Sequence, residues 1–221
     1  ITLSYSLRKY PLRISRFASL LREGAPMLKL GLAFVLTGIT GKGADVFIRY
    51  YLNTKGDTDI VGLFNAGYMI AVTYAGMVFT AMDTDYYPRL SGCANDHRHM
   101  NNLVNKQVEI TTLMLSPMLL VMMVSLPRAI PLLFSHDFSS VVPMAQLCVL
   151  AMYAKAITLP GAYITLAKAH WPAFVALEGM FSLLLCIALP ICYSHWGLYG
   201  TGIAIAISQT SDMVMVWTYV G

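Results

Sequence analysis

Apolar residues occur in long continuous runs along this chain, separated by short stretches where polar and charged residues gather. About 20 mostly apolar residues suffice for one helix to cross a bilayer. Strands of a membrane β-barrel would instead alternate polar and apolar positions over about ten residues. The pattern therefore predicts transmembrane helices, in an all-α integral membrane protein. The predicted spans lie at about 28–52, 60–86, 105–126, 140–167, 171–192 and 198–220.

The last two of these spans share one charge-free stretch, from Gly179 to Ser211. Its length exceeds what one crossing needs, and polar Ser194 and His195 precede Gly197 in the middle of it. We therefore expect a turn at 193–197 that divides the stretch, which gives a bundle of six transmembrane helices.

The composition supports a membrane protein. Hydrophobic residues make up 57% of the chain and charged residues only 12%, with a mean hydropathy of +0.62. A soluble domain typically carries about 25% charged residues. A lipid-embedded chain avoids charge, because one charge at the bilayer centre costs roughly 2.5–3.5 kcal/mol on insertion scales.

The basic residues are unevenly placed and predict an orientation. With residues 1–27 on one side, that side holds eight Lys and Arg residues in its loops and the opposite side two. Cytoplasmic loops carry such an excess. The leader is therefore expected in the cytoplasm near anionic lipid, with the bilayer as its partner rather than nucleic acid.

Three charged residues fall inside the first span: Lys42, Asp45 and Arg49. Their spacing places them on one face of a helix, and such a face avoids lipid unless it lines protein or water. They are candidate substrate-binding residues. In the alternative interpretation, Lys42 and Arg49 lie near the outer surface and extend their charges to water.

Lys155 is a second intramembrane cation, at about mid-depth of the fourth span. An isolated lysine there needs a partner, water or an anionic ligand, so Lys155 is a further candidate for substrate binding. Glu109, Glu178 and Asp212 lie in other spans. Each is a candidate ion or proton relay, or a partner for Lys155.

The sequence offers no pattern for catalysis. The five histidines are scattered over different loops without metal-ligand spacing, and there is no G-x-S-x-G nucleophile motif. We therefore predict no catalytic residues, no metal and no cofactor, and a protein that is not an enzyme.

The second span carries a family resemblance. It contains Gly-Leu-Phe-Asn-Ala-Gly-Tyr at 62–68 and ends in Thr-Asp-Tyr-Tyr-Pro-Arg-Leu-Ser at 84–91. This combination resembles polysaccharide and O-antigen flippases of the MOP exporter superfamily, in which a long helix ends at the cytoplasm in Phe/Tyr-Pro-Arg-Leu-Ser. Residues 30–34 and Arg49 are similar to that family's seventh helix.

The resemblance implies one lobe of a MATE-like fold, with 1–26 as a basic inter-lobe linker and 27–221 as the second six-helix lobe. The chain begins at Ile1 and ends directly after an apolar stretch, so we expect a piece of a longer protein whose first lobe is the partner of this one. Without that lobe the two-lobed cavity cannot form.

The implied function is transfer of polyprenyl-diphosphate-linked oligosaccharide across the bacterial inner membrane, for O-antigen and lipopolysaccharide synthesis. Lys42, Arg49 and Lys155 would meet the diphosphate or acidic sugars, and glycosyltransferases and a polymerase are implied partners. Two alternatives remain at this stage. A drug or cation antiporter of the same fold would use intramembrane carboxylates, and a scaffold of a glycan assembly complex would not transport.

Overall fold

Five α-helices and a short 3-10 helix make up the described part of the chain, in a computed structural model that describes residues 17–94, 96–134, 136–168 and 170–220. All the regular elements in these ranges are helical, as predicted. In chain order they are α1 (Phe17–Lys55), α2 (Thr58–Gly92), α3 (His97–Leu133), the 3-10 helix (His136–Val141), α4 (Val142–Ala167) and α5 (Trp171–Val220).

All five α-helices are long and apolar enough to cross a membrane. The longest, α5, has 50 residues and contains a break at Gly197, where φ is 57° and ψ is −141°. Only glycine adopts this backbone conformation without strain. The break divides α5 into a first arm (171–196) and a second arm (198–220), each long enough for one crossing.

The two arms of α5 form an antiparallel hairpin. In a continuous helix, Cys192 and Gly200 would be about 12 Å apart along the axis. Here the backbone of Gly200 lies directly against the carbonyl group of Cys192. Further along the arms, Leu185 and Ile205 line one small pocket together. The chain therefore reverses direction at Gly197, which lies at the end of the predicted turn.

The helices are longer than the predicted spans. At 1.5 Å per residue, α1 and α3 each exceed 50 Å, whereas the hydrocarbon core is about 30 Å thick. Consequently, most of the residues expected between spans, at 88–104 and 127–139, are helical. Residues 17–26 are helical too, while residues 1–16 lie outside the described ranges, so the linker assignment for 1–26 stays a prediction.

The centre of the bundle is α4, which packs against α5, α3 and α2. Half of its most apolar window is buried, against 17% for α1. Small residues allow this close packing, because transmembrane helices associate through van der Waals contact rather than by excluding water. Examples are Ala145, Ala151 and Ala156 on α4 and Ala204 on the second arm of α5.

Tyr86 joins the C-terminal end of α2 to α4. Its side chain is 2% exposed, and its hydroxyl donates a hydrogen bond to the carbonyl oxygen of Pro160 at 2.9 Å. Its ring lies 6.1 Å from that of Tyr163. Beside it, Arg89 and Asp85, which are four residues apart on α2, form an ion pair at 3.0 Å.

Replacing Tyr86 by phenylalanine should lower the free energy of unfolding by about 1 kcal/mol, because it removes one buried hydrogen bond and keeps the ring. The measurement is thermal unfolding of the detergent-solubilised full-length protein. Tyr74, 53% exposed on the same helix, provides the control variant Tyr74→Phe. Equal melting temperatures for the two variants would mean that the Tyr86 hydroxyl adds no stability.

Candidate functional site

Charged residues of the first helix lie on one face, as the spacing predicts. The ammonium of Lys42 lies 3.6 Å from a carboxylate oxygen of Asp45, with the two side chains 86% and 34% exposed. Asp45 and Arg49 line a small pocket with Tyr68 of α2. Arg49 lies about 9 Å along the helix from its end at Lys55, and Lys42 about 20 Å.

Lys155 lies in a different pocket, together with both carboxylates of α5. The pocket is lined by Lys155, Glu178, Gln209 and Asp212, and its volume is about 40 Å³. Gln209 is 4% exposed and its side-chain amide donates to Asp212 at 3.4 Å. The α5 hairpin creates this pocket, because it places Glu178 of the first arm opposite Asp212 of the second arm.

The Lys155 pocket is not closed by a direct ion pair. Neither Glu178 nor Asp212 forms an ion pair with Lys155 within 4 Å, in contrast to Lys42 with Asp45 and Arg89 with Asp85. Lys155 nevertheless interacts electrostatically with both Glu178 and Asp212. One cation faces two carboxylates across a space that can hold water, since a buried water needs roughly 10–15 Å³ of probe-occupied volume.

The structure therefore separates the predicted site residues into two groups. Asp45 and Arg49 share the pocket between α1, α2 and α5, with Lys42 beside Asp45. Lys155, Glu178 and Asp212 share the pocket between α4 and α5. Glu109 is exposed on α3 and lines neither of these pockets.

A polar face of α2 was missed by the sequence analysis. We call it the α2 polar stripe, and it consists of Asn65, Thr73, Thr80, Asp83 and Thr84. These positions recur at helical spacing within about one third of the helix circumference. The signal lies in the sequence, since Asn65, Thr73, Thr80 and Thr84 stand at this spacing along one predicted span, whereas every site residue predicted from the sequence is charged.

Each end of the α2 polar stripe opens into a larger pocket. Near the start of α2, Asn65 and Thr73 line a mostly apolar pocket of about 640 Å³ with Phe134 and Phe138. The side-chain oxygen of Asn65 is buried and has no hydrogen-bond partner among the described residues. Near the end of α2, Thr80, Asp83 and Thr84 line a pocket of about 290 Å³.

Comparison with protein families gives a match over residues 1–143 to a family described as "Polysaccharide biosynthesis protein". A search of curated proteins by sequence found no match.

Two solved structures share the fold of this chain. One is an outward-facing conformation of a multidrug resistance MATE family transporter of the MOP superfamily, with a TM-score of 0.73 and 13% identity over 88% of this chain and 45% of that one. The other is a MOP superfamily transporter from Pyrococcus furiosus, described as having a binding pocket of reverse polarity that suggests a different function. Its TM-score is also 0.73, with 13% identity over 88% of this chain and 44% of that one.

The chain thus spans less than half the length of either solved transporter. The expected fold, one lobe of a MATE-like transporter, is confirmed. At 13% identity the similarity establishes the fold and not the substrate.

Proposed function

The chain belongs to the polysaccharide biosynthesis protein family, and on that premise we propose that the full-length protein is a lipid-linked oligosaccharide flippase. It would move polyprenyl-diphosphate-linked repeat units across the bacterial inner membrane for O-antigen or another surface polysaccharide. The lobe described above would form the transport path together with a first lobe of the same protein.

The α2 polar stripe is the observation that carries this proposal. Thr73, Thr80 and Thr84 are exposed in this lobe, within a helix long enough to cross the membrane. Polar groups avoid hydrocarbon and face protein or a water-filled cavity. An exposed stripe that joins two pockets suits a path along which a polar headgroup moves while its lipid tail stays in the bilayer.

The cations would contact the diphosphate at different depths. Arg49 is exposed near the end of α1 that the positive-inside rule places outside, and Lys42 lies deeper, with Asp45 neutralising part of its charge. Lys155 belongs to the second pocket. We propose that Lys42 and Arg49, oriented by Asp45, receive the diphosphate late in transfer, and that Lys155 acts earlier.

The pocket of Lys155, Glu178 and Asp212 supports a coupling role as well. Its formal charge is negative, one cation against two carboxylates, so it suits a proton or a small cation at least as well as an anion. Glu109 is exposed on α3 and would act separately from this pocket. The same observation favours the second candidate, an antiporter of drugs or cations, and the test must discriminate between the two.

The test is transport by the full-length protein in liposomes. Lipid-linked oligosaccharide from the producing cells is added to one leaflet, and the fraction that becomes accessible to a membrane-impermeant lectin on the other side is measured. We expect accessibility to rise only in liposomes that contain the protein. Ion-driven efflux of a cationic dye without lipid transfer would identify the antiporter, and neither activity would favour a scaffold.

A further inference from the structure

An aromatic and acidic pocket lies at the end of the lobe that the positive-inside rule places in the cytoplasm. We call it the inner tyrosine pocket, and its volume is about 290 Å³. Residues of α1, α2 and α4 line it. Its lining consists of Phe34, Thr80, Asp83, Thr84, Tyr87, Tyr163 and Leu166.

The polar groups of this pocket are held in fixed positions. The hydroxyl of Tyr163 donates to one carboxylate oxygen of Asp83 at 2.7 Å, which leaves the other oxygen to accept from a ligand. The hydroxyls of Thr80 and Thr84 each donate to the backbone carbonyl four residues earlier, at 2.9 Å. Both residues line the pocket, and each hydroxyl oxygen keeps lone pairs that can accept from a hydroxyl or amide donor of a ligand.

Two tyrosine rings form an aromatic wall beside these acceptors. The rings of Tyr87 and Tyr163 lie 5.9 Å apart and are inclined by 59°. Both side chains are half-buried and line the pocket, so part of each ring is open to a ligand there. A flat, partly apolar ligand with several hydroxyl donors would pack on such a ring and donate to Asp83, Thr80 and Thr84 at its edge.

A saccharide ring has this chemistry, with apolar C–H faces and hydroxyls around its edge. The pocket volume is at the lower end of the range for small-molecule sites, roughly 300–1,000 Å³, so it suits one sugar unit rather than a whole repeat unit. A diphosphate fits poorly, because the described residues that line the pocket include the Asp83 carboxylate, and none of these residues is Lys or Arg.

We propose that the inner tyrosine pocket is a subsite for one neutral or amino sugar of the lipid-linked oligosaccharide, recognised at the cytoplasmic side. The proposal rests on the function proposed above and narrows its substrate class. Asp83 repels a uronic acid at this position, since like charges disfavour each other at close range. The diphosphate is then bound elsewhere in the path, away from Asp83.

The experiment compares two probes on the full-length protein in lipid nanodiscs. They are the lipid-linked repeat unit extracted from the producing cells and the same polyprenyl diphosphate without sugar. Tyr87→Leu and Asp83→Asn should each weaken binding of the glycosylated probe about tenfold and leave binding of the bare diphosphate unchanged. Tyr87→Phe should bind like the wild type, because it keeps the ring.

Tyr219→Leu is the matched control, since Tyr219 is 52% exposed on the second arm of α5 and does not line this pocket. A methyl glycoside of an N-acetylhexosamine should compete with the glycosylated probe, and a methyl hexuronide should compete only in Asp83→Asn. Competition by the hexuronide in the wild type would overturn the sugar class.

The outcomes separate this subsite from the proposed function. If the wild type binds the glycosylated probe and Tyr87→Leu binds it equally well, the subsite is wrong while the flippase proposal stands. If the wild type binds neither probe, the flippase proposal fails and the subsite fails with it. A third outcome is that tetraphenylphosphonium displaces the glycosylated probe from the wild type but from neither Tyr87→Leu nor Asp83→Asn. That outcome would assign the pocket to an organic cation instead.

Discussion

Replacing Lys155 by alanine in the full-length protein should reduce surface polysaccharide by roughly two orders of magnitude, with the protein still present in the membrane. Among the described residues that line its pocket, Lys155 provides the positive charge, beside the carboxylates of Glu178 and Asp212. Without it, two carboxylates face each other inside the membrane. An uncompensated charge at that depth costs roughly 2.5–3.5 kcal/mol, which corresponds to a factor of about 100.

The conservative variant Lys155→Arg should retain much of the activity, because it keeps the positive charge in the pocket. The control is Lys106→Ala, since Lys106 is exposed on α3 and does not line the pocket. Surface polysaccharide is measured by immunoblot, and membrane protein level is measured on the same cells. Normal polysaccharide in Lys155→Ala would remove this lysine from the mechanism.

A double variant tests whether Lys155 acts in transport or only neutralises the two carboxylates beside it. Lys155→Ala with Glu178→Gln leaves one charge, that of Asp212, among the described lining residues and should therefore restore some of any lost protein stability. If Lys155 contacts the substrate or exchanges an ion, polysaccharide stays low in the double variant. If the double variant regains normal polysaccharide, Lys155 only neutralises its neighbours.

Contacts between residues of one helix could be predicted from the sequence, and contacts between residues of different helices could not. Lys42 and Asp45 are three residues apart in one helix, so helical geometry alone predicts that they approach each other. Lys155 and Asp212 lie on different helices, and their proximity depends on how α4 packs against the α5 hairpin. The sequence analysis left three carboxylates as partners for Lys155, and the packing selects Glu178 and Asp212 over Glu109.

The fold, like the site, could be predicted from the sequence only in part. Hydropathy predicts helices that cross a bilayer, because backbone groups in hydrocarbon must be hydrogen-bonded within the segment. It does not predict where a helix ends in water. The predicted third span ends at 126, yet α3 continues to Leu133 and contains Pro127 and Pro131. The neighbouring turns of the helix keep their own hydrogen bonds, so a proline near its end is tolerated.

Gly200→Ala should prevent the full-length protein from accumulating in a folded state. A Cβ atom at this position would collide with the carbonyl group of Cys192, and the nearest backbone atom of Tyr193 would be 3.1 Å away. The obstacle is backbone, which cannot rotate aside as a side chain can. Overpacking typically costs about 1–3 kcal/mol and occasionally more, and we expect the upper end or beyond here.

We expect Gly200→Ala to reduce transport as well as stability, because the hairpin aligns the two arms whose residues line the Lys155 pocket. Three pairs face each other across the two arms: 192 with 200, 185 with 205, and 178 with 212. A variant that forces the arms apart at Gly200 therefore also moves Glu178 away from Asp212. Any Gly200→Ala protein that does fold should transport poorly.

Gly179→Ala is the matched control, since a Cβ atom at Gly179 meets nothing within 4 Å and the residue lies in the first arm of the same hairpin. Its melting temperature should equal that of the wild type or exceed it slightly, because alanine favours a helix over glycine by about 0.5–1 kcal/mol. The measurement is fluorescence-detected size-exclusion after heating. If Gly200→Ala melts like Gly179→Ala, the two arms do not approach closely at this point, and the register that joins Glu178 to Asp212 loses its support.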